Sequence, residues 1–391
     1  MIGPLSGIVV VDLTQIYNGP YATFLMAMAG AEVIKIEPPG GEHSRRRQKD
    51  GGGVHVPHAM LNSGKNFIVL DLKSEKGKRA LRKLVKRADV LVENYRPGVM
   101  DRLGFGKERL QDLNPRLIYA SSSGYGTTGP YRDYPAMDLA IQAMVGIMSV
   151  TGYSDRPPVK AGPAIADFNA GVHLYAAVVT ALLERERTGV ARSVEVSMME
   201  AIYPALASNI GLMHGQSPDR SPRTGNRHGG LSISPYNVYE CKDGHCAILA
   251  NNDPQWIALT RYFGQDWAAT DPRYRTMYER VKRMEEVDAL VAAWAREQTK
   301  DELFRGLVAA RVPCAPVREL SEVVNDPHLL QRRALLHIDH RLYGRIPVPT
   351  SPLIFEGMPR DIRWPSKALG EDQARYVDAE DADDALFLAA G

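Results

Sequence analysis

Residues 163–200, PAIADFNAGVHLYAAVVTALLERERTGVARSVEVSMME, predict one long apolar helix with a strand directly after it. Apolar side chains recur at helical spacing, and two arginines and a glycine close the pattern: Val172, Tyr175, Val179, Leu182, Arg185, Arg187 and Gly189. Polar and apolar residues then alternate from Ser193 to Val196, as they do in a strand. This helix and strand continue an alternation that runs through the first half of the chain.

That alternation consists of short, β-branched apolar runs separated by amphipathic stretches such as Ser74–Lys86. The predicted strands are Ile8–Asp12, Glu32–Ile36, Asn66–Leu70, Asp89–Val92 and Leu117–Ala120. Strands that are almost wholly apolar and separated by helices belong to parallel sheets, because a parallel connection needs a crossover. The pattern predicts an α/β fold with a Rossmann-like large domain and a mostly parallel sheet.

The character of the sequence changes near residue 225, where GNRHGGLSISPYNVYECKDGHCAILANND precedes a helical region, Gln255–Phe304. We expect a smaller α+β domain there. The segment Arg345–Pro365 contains five prolines and predicts an extended connection rather than a helix. The expected organisation is a large domain at 1–200, a linker at 201–224, the small domain at 225–330, and at 331–391 an extended return with the C-terminal part of the large domain.

Composition limits the possible functions. The 391 residues include 48 basic and 46 acidic side chains, and the net charge of +2 does not favour a nucleic-acid or membrane-surface partner. Three scattered cysteines make no disulfide framework and suit a reducing cytoplasm. No leader pattern is present at the N-terminus, and no apolar run approaches about 18 residues, the length of a membrane span. We expect a soluble, cytoplasmic protein.

Asp167 is the most informative single residue because it stands at the start of the long helix. One interpretation is a helix N-cap that accepts backbone N–H bonds, although Asn169 could cap equally well. The other is catalytic. A carboxylate near the free N–H groups of a helix start is held ionised, and covalent acyl transfer by a carboxylate requires that form.

The chain closely resembles the family III CoA-transferases, also called the CaiB/BaiF family, in ordered blocks over nearly its whole length. Besides the Asp167 helix with its R-x-x-T-G turn, the blocks are PLSGIVVVDLT, GAEVIKIEPPGG, LNSGKNFIVLDLKSEKG, VENYRPGVMDRLGFG, SSGYGTTGPY, RVPCAPV and PSKALGEDQ. The resemblance implies that Asp167 is a nucleophile, that coenzyme A enters as an acyl-CoA co-substrate, and that two subunits interlock as a homodimer. Donor and acceptor would be carboxylic acids, which the sequence does not identify.

A CoA site needs basic groups for the phosphates, and Arg96 and Arg102 are candidates, with Asn94 beside them. Solvated loop arginines are the alternative. The resemblance implies further CoA contacts at Tyr17, Asn18, Leu70, Leu72, Lys73, Asn94 and Arg102. Pro38 departs from the family pattern, since some members have a basic residue there; Arg45, Arg46 or Arg47 could replace it.

The loop Gly225–Gly230, GNRHGG, could close over a bound acyl group or simply form a tight turn. The resemblance favours closure, with Gly229, Gly230 and His228 as substrate residues. This loop is shorter than the glycine loop of oxalate-type members and contains His228, which argues against oxalate specificity. In the implied mechanism Asp167 attacks the thioester to give an aspartyl anhydride, and N–H groups at the helix start, with Gly229 and Gly230, stabilise the oxyanion.

Three other functions compete with this one. A Rossmann oxidoreductase could use Glu37 to bind ribose, but LTQIYNGPYAT follows the first strand without the G-x-G-x-x-G fingerprint. An acyl-CoA racemase of the same superfamily needs an acid and a base, and Met137, which precedes Asp138, cannot carry a proton. Met137 can instead pack against the CoA arm, and Asp138 can orient the substrate or Asp167. A non-catalytic CoA-ester-binding protein is the third.

A metal site is not expected. The pairs His55 with His58 and His337 with His340 have ligand-like spacing, but no cysteine or acidic partners complete a set. We interpret them as surface histidines.

Overall fold

The computed structural model describes residues 3–46, 56–215 and 223–377. By its internal contacts the chain divides into two compact units. The first combines Met1–Ile141, Pro163–Tyr203 and Val324–Gly391, and the second combines Gln142–Gly162 and Pro204–Val323.

The first unit is built on a six-stranded sheet in the order β3-β2-β1-β4-β5-β6, in which every neighbouring pair is parallel. The strands are β1 (Val9–Asp12), β2 (Glu32–Glu37), β3 (Asn66–Val69), β4 (Val90–Glu93), β5 (Ile118–Ser123) and β6 (Val194–Ser197). This is the doubly wound order, and its direction of winding reverses between β1 and β4. Crevices that bind ligands form at the carboxyl ends of the strands beside such a reversal.

Helices cover this sheet and form most of the second unit. In chain order they are α1 (Asn18–Met28), α2 (His43–Arg46), α3 (Val56–Asn62), α4 (Glu75–Arg87), α5 (Val99–Leu103), α6 (Lys107–Leu113), α7 (Asp138–Met144), α8 (Ile147–Val150), α9 (Ile165–Thr188), α10 (Met198–Ile202), a 3-10 helix (Tyr203–Leu206), α11 (Ala207–Gly215), α12 (Asp253–Tyr262), α13 (Asp266–Thr270), α14 (Met277–Lys282), α15 (Met284–Ala295), α16 (Lys300–Ala309), α17 (Leu320–Val323), α18 (Pro327–Gln331) and α19 (Gln373–Tyr376).

The core of the first unit lies on both faces of the sheet, because successive strand residues point to opposite sides. Val10 packs with α1 and α9 on one face, and its neighbour Val11 packs with α4 and α6 on the other. Both valines are fully buried. The strands are therefore apolar on both faces, which is why they appear in the sequence as continuous apolar runs rather than alternating ones.

Helix α9 ends as its sequence predicts. Gly189 caps it in the left-handed conformation with φ 74°. The guanidinium of Arg185 is buried and forms an ion pair with Asp89 at 2.8 Å. Within the described residues α9 is the one helix long and apolar enough to cross a membrane. Its buried residues pack on α1 and on the sheet, as those of a core helix do.

The last part of the first unit is a hairpin followed by a segment that returns to the sheet. Strands β10 (Leu335–His340) and β11 (Gly344–Pro349) pair with each other, and β11 contains the first prolines of the region predicted to be extended. A strand with a single partner tolerates proline, since its outward N–H groups bond nothing. At the edge strand β3, Asp372 accepts from Phe67 N–H and Gln373 accepts from Val69 N–H, both at 2.8 Å.

The second unit is α+β. Its sheet is antiparallel, in the order β7-β8-β9: β7 (Tyr236–Cys241), β8 (Gly244–Leu249) and β9 (Cys314–Pro316). Its core is formed by β7 and β8 together with α12, α15 and α16, and Trp256 lies fully buried at its centre.

The predicted α/β class and parallel sheet are confirmed, and every predicted strand is present with small shifts at its ends. The two compact units differ in extent from the predicted domains. Residues 142–162 group with the second unit, 324–330 group with the first, and the predicted linker 201–224 contains α11. The sequence of α11, ASNIGLMHG, has no charged pairs and a central glycine, so its helical pattern is weak. Residues 216–222 lie outside the described residues.

Candidate active site

A cavity of about 280 Å³ opens at the carboxyl ends of β1, β4 and β5, beside the reversal of the sheet. Its walls come from the segments that follow these three strands and from the start of α9. The lining residues are Gln15, Ile16, Asn18, Asn94, Tyr95, Arg96, Pro97, Ser122, Ser123, Gly124, Tyr125, Arg132, Tyr134, Ala136, Met137, Asp167 and Met198. Of the residues proposed from the sequence, Asn18, Asn94, Arg96, Met137 and Asp167 meet here.

Asp167 lies in the first turn of α9 and is only 8% exposed. The close approach of α9 to α1 depends on Gly171, one turn further along. A Cβ at that position would lie 2.6 Å from the carbonyl oxygen of Asn18, closer than real contacts allow. Glycine therefore lets the start of α9 reach the start of α1, and both helix starts line the cavity.

The cap of α9 comes from another element. Asp138, the first residue of α7, accepts from the backbone N–H groups of Ala166 at 2.8 Å and Asp167 at 3.2 Å. The N-cap position itself is Ala164, which makes no side-chain cap bond. The interpretation of Asp167 as the N-cap is therefore wrong. Asn169 is not the cap either, since its amide donates to the carbonyl of Ile165.

These bonds also correct the predicted oxyanion site. The N–H groups of Ala166 and Asp167 bond Asp138, that of Ile165 bonds the carbonyl of Pro163, and that of Phe168 bonds the carbonyl of Ala164. The start of α9 thus has no uncommitted N–H group among its first four residues. Donors for a developing oxyanion must come from elsewhere in the cavity wall.

Asn94 does not simply face the cavity. Its Oδ1 accepts from the N–H of Gln15 at 2.7 Å, and its Nδ2 donates to the carbonyl oxygen of Gln15 at 2.9 Å. Both polar atoms of Asn94 are therefore used to hold the segment after β1. Asn94 contributes to the shape of the cavity by holding the backbone of Gln15 in place.

Ser122 is a cavity residue that the sequence did not distinguish from a strand-end turn. Its hydroxyl accepts from Nδ2 of Asn18 at 2.9 Å and donates to the carbonyl of Val196 at 3.2 Å. The run of serines at the end of β5 could have indicated this site, because that strand ends beside β4 at the same edge of the sheet.

Several proposed CoA contacts lie outside the cavity wall. Tyr17 stacks on Phe168 with ring centroids 6.1 Å apart. Leu70 is buried in the core behind the sheet, and Leu72 is half-buried against that core. Lys73 and Arg102 are exposed, and Arg102 is on α5. For these residues CoA contact stays a prediction.

The second strand ends in a buried carboxylate that is paired with an arginine. Glu37 is fully buried, and its carboxylate forms an ion pair with Arg45 at 2.7 Å and accepts from Glu42 N–H at 2.9 Å. Glu37 is thus committed to the protein, as expected if it does not bind a nucleotide ribose. Arg45 is equally committed, which leaves the exposed Arg46 as the described candidate to replace a basic residue at Pro38. Arg47 lies outside the described residues.

Glu93 is a further acidic group that the sequence did not single out. It ends β4 directly before Asn94 and is 5% exposed. Burial raises the pKa of Glu93 to about 7, against the opposing effect of bonds from the Tyr119 hydroxyl at 2.8 Å and the Tyr95 N–H at 2.7 Å. In the sequence, the only feature that could have marked Glu93 is its position at the end of a strand.

The GNRHGG loop belongs to the second unit, where its conformation is fixed by its own contacts. Arg227 forms an ion pair with Asp288 at 2.7 Å. His228 Nδ1 lies 3.2 Å from the N–H of Gly230, which donates to it. The Gly230 N–H thus bonds His228 here, and its use as an oxyanion donor stays a prediction, as do contacts of His228 and Gly229 with substrate.

Among residues 3–46, 56–215 and 223–377, no three histidine, cysteine, aspartate or glutamate side chains come together as metal ligands. That no metal is used stays a prediction. Two of the histidines expected on the surface are not there: His58 and His340 are each nearly fully buried, and His340 stacks on Tyr343 with centroids 4.4 Å apart. His55 lies outside the described residues.

Comparison with known proteins agrees with the resemblance seen in the sequence. The family described as CoA-transferase family III matches residues 5–373. The chain is 39% identical to the acetyl-CoA:oxalate CoA-transferase of Acetobacter aceti over 91% of this chain and 90% of that protein. It is 35% identical to the succinate–glutarate CoA-transferase of Agrobacterium fabrum over 96% of this chain and 95% of that protein.

The fold agrees as well. A crystal structure of a CaiB/BaiF family protein from Brucella suis superposes with a TM-score of 0.83 at 33% sequence identity. The match covers 96% of this chain and 98% of that one.

Proposed function

Because this chain belongs to family III of the CoA-transferases and so moves coenzyme A onto a carboxylic acid, we propose that the transfer passes through covalent intermediates on Asp167. The observation that supports this best is the position of Asp167 in the wall of the cavity, in the first turn of α9. The positive end of the helix favours the ionised carboxylate, which is the nucleophilic form.

The steps balance without an external reagent. A carboxylate oxygen of Asp167 attacks the thioester carbonyl, the C–S bond breaks, and coenzyme A leaves as thiolate while an aspartyl anhydride forms. The thiolate then attacks the aspartyl carbonyl, which releases the donor acid and leaves an aspartyl-CoA thioester. The acceptor acid repeats the sequence in reverse, and Asp167 is regenerated as a carboxylate.

Side chains of the cavity wall supply the donors that the start of α9 does not. Asn18 carries an amide in the wall, and Arg96 and Arg132 line the same cavity. A donor that is held in place, as the buried Asn18 amide is by its bond to Ser122, stabilises an oxyanion because it needs no reorientation as charge develops. Tyr125, Tyr134 and Met137 add flat or flexible apolar surface for the CoA arm.

The acids exchanged are best sought among small mono- and dicarboxylates, since the relatives bear the names of oxalate and of succinate–glutarate enzymes. The experiment that tests the function is a screen of acyl-CoA donors against carboxylic acid acceptors, read by mass spectrometry of the CoA products. Exchange with no pair of acids would contradict the proposed activity. An acyl-CoA racemase is disfavoured, because Met137 offers no second proton carrier beside Asp138.

The phosphates of coenzyme A are assigned to Arg96 and Arg102. Replacing Arg102 with Ala is expected to weaken CoA binding by about 1.5 to 3 kcal/mol through loss of a charge-assisted contact, with kcat nearly unchanged at saturation. Isothermal titration with CoA measures this. Arg109→Ala is the matched control, since Arg109 is also exposed and lies on the next helix. Equal affinities for both variants and the wild type would remove Arg102 from the site.

The enzyme is further proposed to be an interlocked homodimer in the cytoplasm, where its three free cysteines stay reduced. An obligate interface of this kind buries more than about 2,000 Å² and does not dissociate at working concentrations. Sedimentation velocity is expected to give a dimer mass at all concentrations, and a stable monomer would rule the dimer out.

A further inference from the structure

The segment between β1 and α1 has no regular secondary structure, yet side chains from three different places bind its backbone. The N–H of Thr14 donates to Asp12 Oδ1 at 2.9 Å, and the N–H of Gln15 donates to Asn94 Oδ1 at 2.7 Å. The N–H of Ile16 points to Glu42 Oε2 at 3.4 Å. Three consecutive N–H groups therefore donate to side-chain oxygens from the end of β1, from the residue after β4 and from the segment after β2.

The carbonyl groups are held in the same way. Nζ of Lys35 donates to the carbonyl of Thr14, and Nδ2 of Asn94 donates to the carbonyl of Gln15 at 2.9 Å. The peptide unit between Thr14 and Gln15 is thus bonded at both its oxygen and its N–H. A loop fixed in this manner is preorganised, because its backbone has no further freedom to lose when a ligand binds.

Holding the segment with a buried lysine is energetically unfavourable. It is fully buried in β2, where its Nζ lies 3.6 Å from the carboxylate of the fully buried Asp12. Asp12 already has an ion pair with Lys65 at 3.0 Å and a bond from the Thr23 hydroxyl at 2.6 Å. A second buried ammonium group is therefore not needed to balance Asp12, and an apolar side chain of similar volume is often at least as stable.

Two features of the segment itself are also energetically unfavourable. Ile16 has φ 68°, in the left-handed region that a β-branched residue rarely adopts. Asn18 is 2% exposed, and its Oδ1 has no hydrogen-bond partner among the described residues. Gln15, Ile16 and Asn18 all line the cavity. Strain and an unsatisfied polar atom that coincide at a cavity wall indicate a conformation kept for function.

We infer that Lys35 is a positioning residue, which acts through the Thr14 carbonyl to hold residues 15–18 as a preformed wall for the CoA ester. The inference rests on the proposed function, since it takes the cavity to be the CoA-ester site. Lys35 does not touch the substrate. Because Lys35 already orders this strained segment in the free enzyme, binding of the CoA ester does not have to order it.

Lys35→Met tests this, because methionine keeps the length of the side chain and leaves Asp12 neutralised by Lys65. We expect the KM for the acyl-CoA donor and the Kd for coenzyme A to rise by roughly 10-fold, with kcat changed by less than about 3-fold, as loss of uniform binding predicts. A merely structural lysine would lower the melting temperature and leave both constants unchanged.

Two further variants separate positioning from general damage. Lys65→Met removes the same charge from the same cluster, but Lys65 bonds Asn62, Thr23 and the Pro20 carbonyl rather than the wall segment. It should leave KM within about 2-fold of the wild type. Adding Ile16→Gly to Lys35→Met should recover part of the lost affinity, because glycine adopts a φ near 68° without strain.

Hydrogen exchange of the wild-type enzyme tests the inference without any variant. The amides of Thr14, Gln15 and Ile16 should be protected in the free enzyme and gain little on addition of coenzyme A. Fast exchange of these amides, an unchanged KM in Lys35→Met, or equal effects in Lys35→Met and Lys65→Met would overturn the inference. If the wild type neither binds coenzyme A nor transfers it, the proposed function fails instead.

Discussion

Replacing Asp167 with Ala is expected to leave coenzyme A bound but to lower the rate of transfer by at least about 1,000-fold, since the nucleophile is lost. The variant should fold, because the cap of α9 is provided by Asp138 and not by Asp167. Steady-state kinetics with any active donor and acceptor pair measures the rate, and calorimetry with CoA measures the binding.

Hydroxylamine distinguishes a covalent mechanism from a positioning role for the same residue. During turnover it should convert the activated aspartyl group to a hydroxamate, detected as a mass shift on the peptide containing Asp167, and excess acceptor acid should protect. Asn169→Ala is the matched control, since Asn169 is exposed on the same turn of α9. Transfer by Asp167→Ala at a comparable rate, or modification of another residue, would show that the mechanism is wrong.

The second large effect is expected at Asp138. Asp138→Ala removes the acceptor of two N–H groups in the first turn of α9 and releases the turn that carries Asp167. We expect kcat to fall by about 10- to 100-fold, as misplacement of a reacting group does, and stability to fall by about 1 kcal/mol through loss of the cap. Rate measurements at saturating donor, together with thermal unfolding, give both values.

Asp138→Asn separates the hydrogen bonds from the charge. Asparagine keeps an oxygen acceptor for Ala166 and Asp167, so this variant should retain most of the rate. If it is as impaired as Asp138→Ala, the charge of Asp138 matters rather than its bonds. If Asp138→Ala keeps the wild-type kcat, Asp138 has no part in positioning Asp167.

Most of the sheet could be predicted from the sequence because each parallel strand is apolar on both faces. Val10 and Val11 point to opposite cores, and such strands produce short runs that are easy to recognise. The helix that begins before Asp167 was equally clear from its spacing and from Gly189. The boundaries between the units were less clear, since residues 142–162 join the second unit through contacts distant in sequence.

The candidate site was predictable where residues follow strands that end at one edge. Asn18 and Asn94 meet in the cavity for that reason, whereas Asp167 is brought there by the start of α9. What the sequence could not reveal is how each polar atom is used. The bond from Ala166 to Asp138 joins residues 28 positions apart, and the bond from Lys35 to Thr14 joins residues 21 apart. No local pattern encodes such pairs.

The edge strand β3 has a consequence for how the chain folds. Its outward N–H groups are met by Asp372 and Gln373, more than 300 residues later in the chain. A strand whose edge is open can pair with another chain and aggregate. During synthesis this edge therefore stays uncovered until residues 372 and 373 have emerged, long after the six strands of the sheet have been made. Until then the nascent chain exposes a strand edge that can pair with wrong partners.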